Sequence, residues 1–211
     1  MFANRLAAGR QLATRLGSWS GTDTVVLGLP RGGVPVAAEV AKLLQAPLDV
    51  IFVRKLGVPF HPELAMGAIG EDGVRVIDRA VVRSAQVTED ELRAVERREI
   101  VNLGEQVSRI RRGRDRADIA GRTVIIVDDG IATGSTARAA CAVARRLGAA
   151  RVVLAAPVAP READRNIPEA DELITIEDPV DFLAVGSYYK DFAPTSDEEV
   201  VVALDEAAGR M

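Results

Sequence analysis

The feature that most constrains this chain is a short apolar run that ends abruptly in two acids. Thr123 to Val127 (TVIIV) is β-branched at every position, Asp128 and Asp129 follow at once, and a turn of small residues leads into a helical pattern from Thr136 to Leu147. A run with no polar face suits a strand covered on both sides. It demands a layer above and a layer below, which an α/β architecture provides.

The rest of the chain repeats this alternation. Thr24 to Leu29, Leu48 to Val53, Arg151 to Ala155 and Glu172 to Ile176 read as further strands. Helical spacing covers Val36 to Leu44 and a long stretch from Glu89 to about Arg112, opened by the capping-box pair Thr88 and Glu91. Ile100, Leu103, Val107 and Ile110 share one face of it. Ser196 and Glu199 announce a last helix that can dock through Val200, Leu204 and Ala207. The expected fold is α/β: a mostly parallel, Rossmann-like sheet flanked by helices, with a small flap or hood lobe. Its 211 residues favour one domain, with a core at about 20–180, a flap at about 56–85 and a C-terminal hood and helix at about 181–211. Between Gly57 and Ala85, rich in Pro, Gly and acid, only Val74 to Ile77 reads as a strand. In such sheets ligands bind beyond the carboxyl ends of the strands, so the loops after Leu29, Val53 and Val127 should meet.

Composition narrows the function classes. A net charge of −4 gives no global field toward nucleic acid or anionic lipid, so neither is expected as a partner. The single cysteine, Cys141, excludes an internal disulfide and fits a reducing, cytoplasmic setting. It lies at helical spacing among alanines and reads as core. No apolar run is long enough to span a bilayer. The first sixteen residues carry Arg5, Arg10 and Arg15 and no acid, a faint transit-peptide pattern; the plainer expectation is an amphipathic helix with Phe2, Leu6, Leu12 and Leu16 turned inward.

The loop after the apolar run carries the chemistry. The strand fixes Asp128 and Asp129, whose carboxylates can accept hydrogen bonds from a sugar diol or sit near a hydrated Mg²⁺. Ala132, Thr133 and Gly134 are small enough for backbone amides to approach an anion, Ser135 and Thr136 add hydroxyl donors, and the following helix aims its positive end at the same place. Two acids beside an amide nest would repel a bare phosphate. They suit a ligand that is both polyol and phosphate, or one that carries Mg²⁺. The Gly-Lys-Ser/Thr ending of a Walker loop is absent.

This string resembles the signature of the type I phosphoribosyltransferases: apolar strand, two acids, a short variable stretch, Thr-Gly, then small hydroxyl residues. The resemblance extends from about Thr24 to Ala203. It implies that Asp128 and Asp129 hold the ribose hydroxyls of phosphoribosyl pyrophosphate (PRPP), with Mg²⁺ nearby, and that Gly130, Ile131, Ala132, Thr133, Gly134, Ser135 and Thr136 hold the 5′-phosphate. By position Arg31, Gly32 and Gly33 resemble the family's pyrophosphate loop, with Arg31 able to grip phosphate through its guanidinium. Arg54 and Lys55, adjacent cations at a strand end, could neutralise departing pyrophosphate. The Pro-rich stretch after them resembles the family's flexible flap, and Lys55 through Ala68 is similar to an uncharacterised bacterial subgroup. One departure stands out: purine-type members often carry an Asp where this chain has Ala132, which removes a side-chain acid–base role there.

The implied activity is transfer of phosphoribose from PRPP to an unidentified nitrogen acceptor, a nucleobase or related compound, with release of pyrophosphate. A PRPP-sensing regulator and a PRPP hydrolase are the rival readings. His61, the only histidine, sits in a loop context that suits a solvated role as well as catalysis. Tyr188, Tyr189 and Phe192 could stack on a planar acceptor, or anchor the last helix to the body. The basic run Arg109 to Arg116 reads as a solvated face at a helix C-terminus. Family members often dimerise, and the long Arg-rich helix offers a homodimer contact.

Overall fold

The computed structural model describes residues 1–163 and 167–209. Five strands form one parallel sheet: β1 (Thr24–Gly28), β2 (Leu48–Val50), β6 (Thr123–Val127), β7 (Arg151–Val158) and β8 (Glu172–Glu177), in the order β2-β1-β6-β7-β8. Strand alternation divides their side chains between two apolar layers. Val26, Ile125, Val127 and Val153 face one layer, with α1 (Arg5–Arg15), α2 (Gly33–Leu44) and α6 (Asp197–Ala208). Val25, Leu27, Val124, Ile126 and Leu154 face the other, with α5 (Ser135–Arg146). Cys141 is buried in that second layer, and burial pushes its thiol up to about 12, so it is a core residue as expected.

The winding reverses at β1. The chain passes through α2 to β2 on one side of β1, and later places β6 on the other. The carboxyl ends of β1 and β6 therefore form a switch point, where Gly28 lies opposite Val127. A crevice opens there because the connections leave in opposite directions.

The flap region is more ordered than its composition suggests. The run Leu48 to Val53 is not one strand: β2 stops at Val50, and β3 (Val53–Val58) leaves the parallel sheet. It pairs antiparallel with β4 (His61–Gly70), which pairs with β5 (Arg75–Ile77). Short α3 (Arg79–Ser84) and long α4 (Glu89–Arg111) follow, α4 with its capping box in place. The Pro and Gly content of this region misled the sequence reading: Gly57 and Gly67 pack against partner-strand backbone rather than forming loops. Pro62 lies at the exposed start of β4, where a missing donor costs little.

Three side chains depart from the periodic expectation. Leu6 and Ile100 are exposed, although Leu12 and Leu16 near α1 and Leu103 and Ile110 on α4 are buried. Phe2 is buried but precedes α1, bridging to Tyr189. The basic run lies at the surface as expected, with Arg109 and Arg112 exposed, but it is not without partners. Arg109, Arg112 and Arg114 pair with Asp197, Glu198 and Asp205 of α6, tying the end of α4 to the last helix.

Arg111 is buried between Asp49 and Glu71, hydrogen-bonded to both carboxylates and to the Val50 carbonyl. It joins β2, the flap and α4. Its pKa is raised: burial works against the charge, but the bonds to Glu71 and the charge of Asp49 outweigh it. Removing it leaves two buried acids without their cation. Arg111→Met is expected to cost about 3–5 kcal/mol. Arg109→Gln, at an exposed pair, should cost less than about 1 kcal/mol. Urea denaturation of the two variants checks the contrast.

Candidate active site

The loop after β6 is fixed from below by strand β7. The Asp128 amide donates to Ala155 O at 3.1 Å and the Ile131 amide to Val158 O at 2.9 Å. Gly134 caps α5 with φ +75°, a left-handed turn that glycine accommodates at little cost. Between these points the amides of Ala132, Thr133 and Gly134 have no partner among the described residues. Ala132, Thr133 and Thr136 are exposed, and the Thr133 and Ser135 hydroxyls lie 3.2 Å apart. Free amides, hydroxyls and the start of a twelve-residue helix thus share one open turn, a setting that favours an anion.

The acid pair sits beside it, half-buried. Asp128 Oδ1 accepts from the Asp129 amide at 2.9 Å, and Asp129 Oδ2 accepts from Arg5 Nε at 2.8 Å. The Tyr189 hydroxyl donates to the Asp129 carbonyl at 2.5 Å. The loop after β1 closes against the same acids. A side chain at Gly32 would overlap Asp129 Oδ2, and one at Gly33 would meet the Val127 carbonyl at 2.5 Å. The two glycines therefore permit a close approach of the acid pair itself. The Pro30–Arg31 peptide is cis.

Burial raises the pKa of Asp128, and the adjacent charge of Asp129 raises it further. Asp129 is raised by burial too, with Arg5 opposing the shift. The native protein therefore holds a proton on Asp128 over a range where the unfolded chain has released it. That range runs from about pH 4, the ordinary aspartate value, toward about pH 8. Stability from this group is full below that window and is lost as pH rises through it. Asp128→Asn removes the dependence while keeping the oxygen that accepts from Asp129. The ligand-free variant should melt above wild type at pH 8, with the gap closing toward pH 4. Thermal melts across pH test this.

The other expected residues are placed unevenly. Arg31 is half-exposed and lies 3.7 Å from Asp197 at the start of α6. Arg54 and Lys55 are not at a strand end but within β3, where neighbouring residues project to opposite faces. Lys55 pairs with exposed Glu63 at 2.9 Å, whereas Arg54 Nε is buried with no hydrogen-bond partner among the described residues. His61 is exposed at the start of β4. The aromatic segment serves less to hold α6 than to gather the N-terminal segment: Tyr189 packs on Phe2 and Phe192, and Tyr188 stacks on Phe182.

Sequence reasoning missed Arg5 and Val185. Arg5 stands in the first turn of α1, with no acid in that turn. A cation there opposes the helix dipole, and that mismatch was a readable signal. Val185 packs so tightly on Gly130 that no side chain fits there; nothing local in the sequence marks it.

Among the described residues no group of three or more His, Cys, Asp or Glu could hold a metal by itself. Two adjacent carboxylates fit Mg²⁺ in its usual mode, where water and substrate phosphates fill most positions. No helix among the described residues is long and apolar enough to cross a membrane.

The acid pair and the amide turn thus stand together at the switch point of a parallel sheet. Residues 3–191 match the phosphoribosyl transferase domain, and the chain belongs to that family. It is 58% identical over 208 residues to Mycobacterium tuberculosis proteins Rv0571c (strain H37Rv) and MT0597 (strain CDC 1551), both named provisionally as phosphoribosyl transferases. That match covers 98% of this chain and 47% of theirs, so the chain spans about half the length of these relatives. The crystal structure of the protein TT1426 from Thermus thermophilus is similar over 98% of both chains, with 43% identity and a TM-score of 0.91.

Proposed function

We propose that this protein transfers 5-phosphoribose from PRPP to a nitrogen acceptor, a nucleobase or related compound, and releases pyrophosphate. The observation that carries this reading is the junction at Asp128 to Thr136: two carboxylates held at a strand end, directly followed by unpartnered amides at a helix start. Asp128 and Asp129 would accept hydrogen bonds from the ribose 2- and 3-hydroxyls. The amides of Ala132 to Gly134, with the hydroxyls of Thr133, Ser135 and Thr136, would hold the 5′-phosphate. Sugar and phosphate are thus gripped from both ends, which fixes the anomeric carbon.

The backbone at Arg31 to Gly33 would hold the pyrophosphate. Arg31 is half-exposed and its pairing with Asp197 is long, at 3.7 Å, so it is free to swing onto an anion. Lys55, whose partner Glu63 is highly exposed, could join it from the flap, as could Arg54 if its buried Nε found an acceptor. When bound with PRPP beside Asp128 and Asp129, Mg²⁺ would neutralise charge on the pyrophosphate oxygens. The bond from the anomeric carbon to pyrophosphate breaks, the acceptor nitrogen bonds to that carbon, and the acceptor's proton leaves to solvent. Ala132 offers no side chain to take that proton. Positioning and electrostatics therefore carry the rate, and acceptors that lose a proton readily are favoured.

Pyrophosphate release from PRPP, with and without nucleobases and small amines, tests this. Release that depends on an acceptor is expected. Asp128→Asn and Asp129→Asn should each lower it by about 10²-fold while remaining folded by circular dichroism. Release without acceptor would instead indicate a hydrolase. PRPP binding with no turnover would indicate a sensor.

A further inference from the structure

We propose that Arg5 is a positioning residue of the active site, clamping Asp129 so that one carboxylate oxygen is committed and the other is presented to the sugar. The inference rests on the PRPP reading above. Arg5 is held on three sides. Its Nε donates to Asp129 Oδ2 at 2.8 Å, its Nη1 donates to the Ala193 carbonyl at 2.7 Å, and its guanidinium lies 3.9 Å from the Phe192 ring centroid. Its side chain is 12% exposed and that of Asp129 15%, so water screens the pair poorly.

The backbone carrying Arg5 is equally fixed. The amide of Phe2 donates to Tyr188 O and that of Lys190 to Phe2 O, at 2.7 and 2.8 Å. Ala8, Leu12, Ala13 and Leu16 anchor the helix behind it in the core. Tyr189 in the same bridge holds the Asp129 carbonyl, and Gly32 lacks the Cβ that would overlap Asp129 Oδ2. Asp129 is therefore held by Arg5 at its carboxylate and by Tyr189 at its backbone, with Gly32 packed beside it. Among the described residues, Arg5 is the one side chain outside the acid pair that is hydrogen-bonded to the Asp129 carboxylate.

An ordinary stabilising ion pair explains this poorly. A cation in the first turn of α1 works against the helix dipole, and Asp129 lies 124 positions away in the chain. The arrangement instead supplies a permanent counter-charge, which lets two adjacent carboxylates face a ligand. The planar fork matters: it spans Asp129 and Ala193 while stacking on Phe192, which a lysine ammonium does not reproduce.

Calorimetric titration with PRPP and Mg²⁺, using the full chain, decides this. Arg5→Gln and Arg5→Lys should each bind PRPP about tenfold or more weakly. Arg10→Gln, which breaks only the pair between exposed Arg10 of α1 and Glu39 of α2, should bind as wild type does. Guanidinium ion, far below unfolding concentrations, should restore part of the affinity lost in Arg5→Ala. A structural role alone would show no such rescue. Wild-type affinity in a folded Arg5→Gln protein overturns the proposal. Should Arg5→Gln not fold, Arg5→Lys decides: tenfold weaker binding supports the clamp, and unchanged binding overturns it. Failure of wild type to bind PRPP would strike the functional reading itself and is distinct from either result.

Discussion

Everything at this site depends on holding two adjacent carboxylates at the end of a buried strand without satisfying both. Burial raises the cost of ionising both Asp128 and Asp129, and the charge of Asp129 adds to it at Asp128. A fully paired arrangement would be more stable and would offer nothing to a ligand. Here one oxygen of Asp129 is tied to Arg5 and one oxygen of Asp128 to a backbone amide. The acids stand directly before a turn whose amides at Ala132 to Gly134 have no partner among the described residues. The site is thus a local sacrifice of stability, placed where the surrounding sheet can bear it.

The sheet bears it through parallel pairing on both sides. β6 lies between β1 and β7, and its last residue, Val127, is fully buried. Its carboxyl end is consequently rigid up to the first acid. The reversal of winding at β1 then brings the glycines of the preceding loop against those acids. Distant segments complete the cage: the N-terminal helix supplies Arg5 and the C-terminal aromatic segment supplies Tyr189. The buried Arg111 hub ties β2, the flap and α4 together on the other flank.

Much of this was legible in the sequence because its signals are local. Apolar runs such as Thr123–Val127 can only be covered strands, and Thr88/Glu91 and Ser196/Glu199 mark their helix starts through bonds that span a single turn. The acid pair, small residues and Thr-Gly of one loop are likewise contiguous. What escaped is what depends on chain-distant partners. Arg5 finds Asp129 across 124 positions, and Arg111 finds Asp49 across 62. The basic run is the solvated face it reads as, but the acids of α6 that pair with it there lie far off in the chain. The flap strands were hidden for a different reason: β4 begins with four exposed residues, so it lacks the apolar signature on which strand recognition relies.

The central claim is that the acids and the amide turn act jointly on one ligand, the first on its hydroxyls and the second on its phosphate. Comparative titration of the protein with ribose 5-phosphate and 2-deoxyribose 5-phosphate tests it most directly. Loss of the 2-hydroxyl leaves a half-buried carboxylate oxygen unpaired, so the deoxy sugar should bind about tenfold or more weakly. Equal affinity for the two sugars would contradict the account, because the carboxylates would then have no part in holding the ribose.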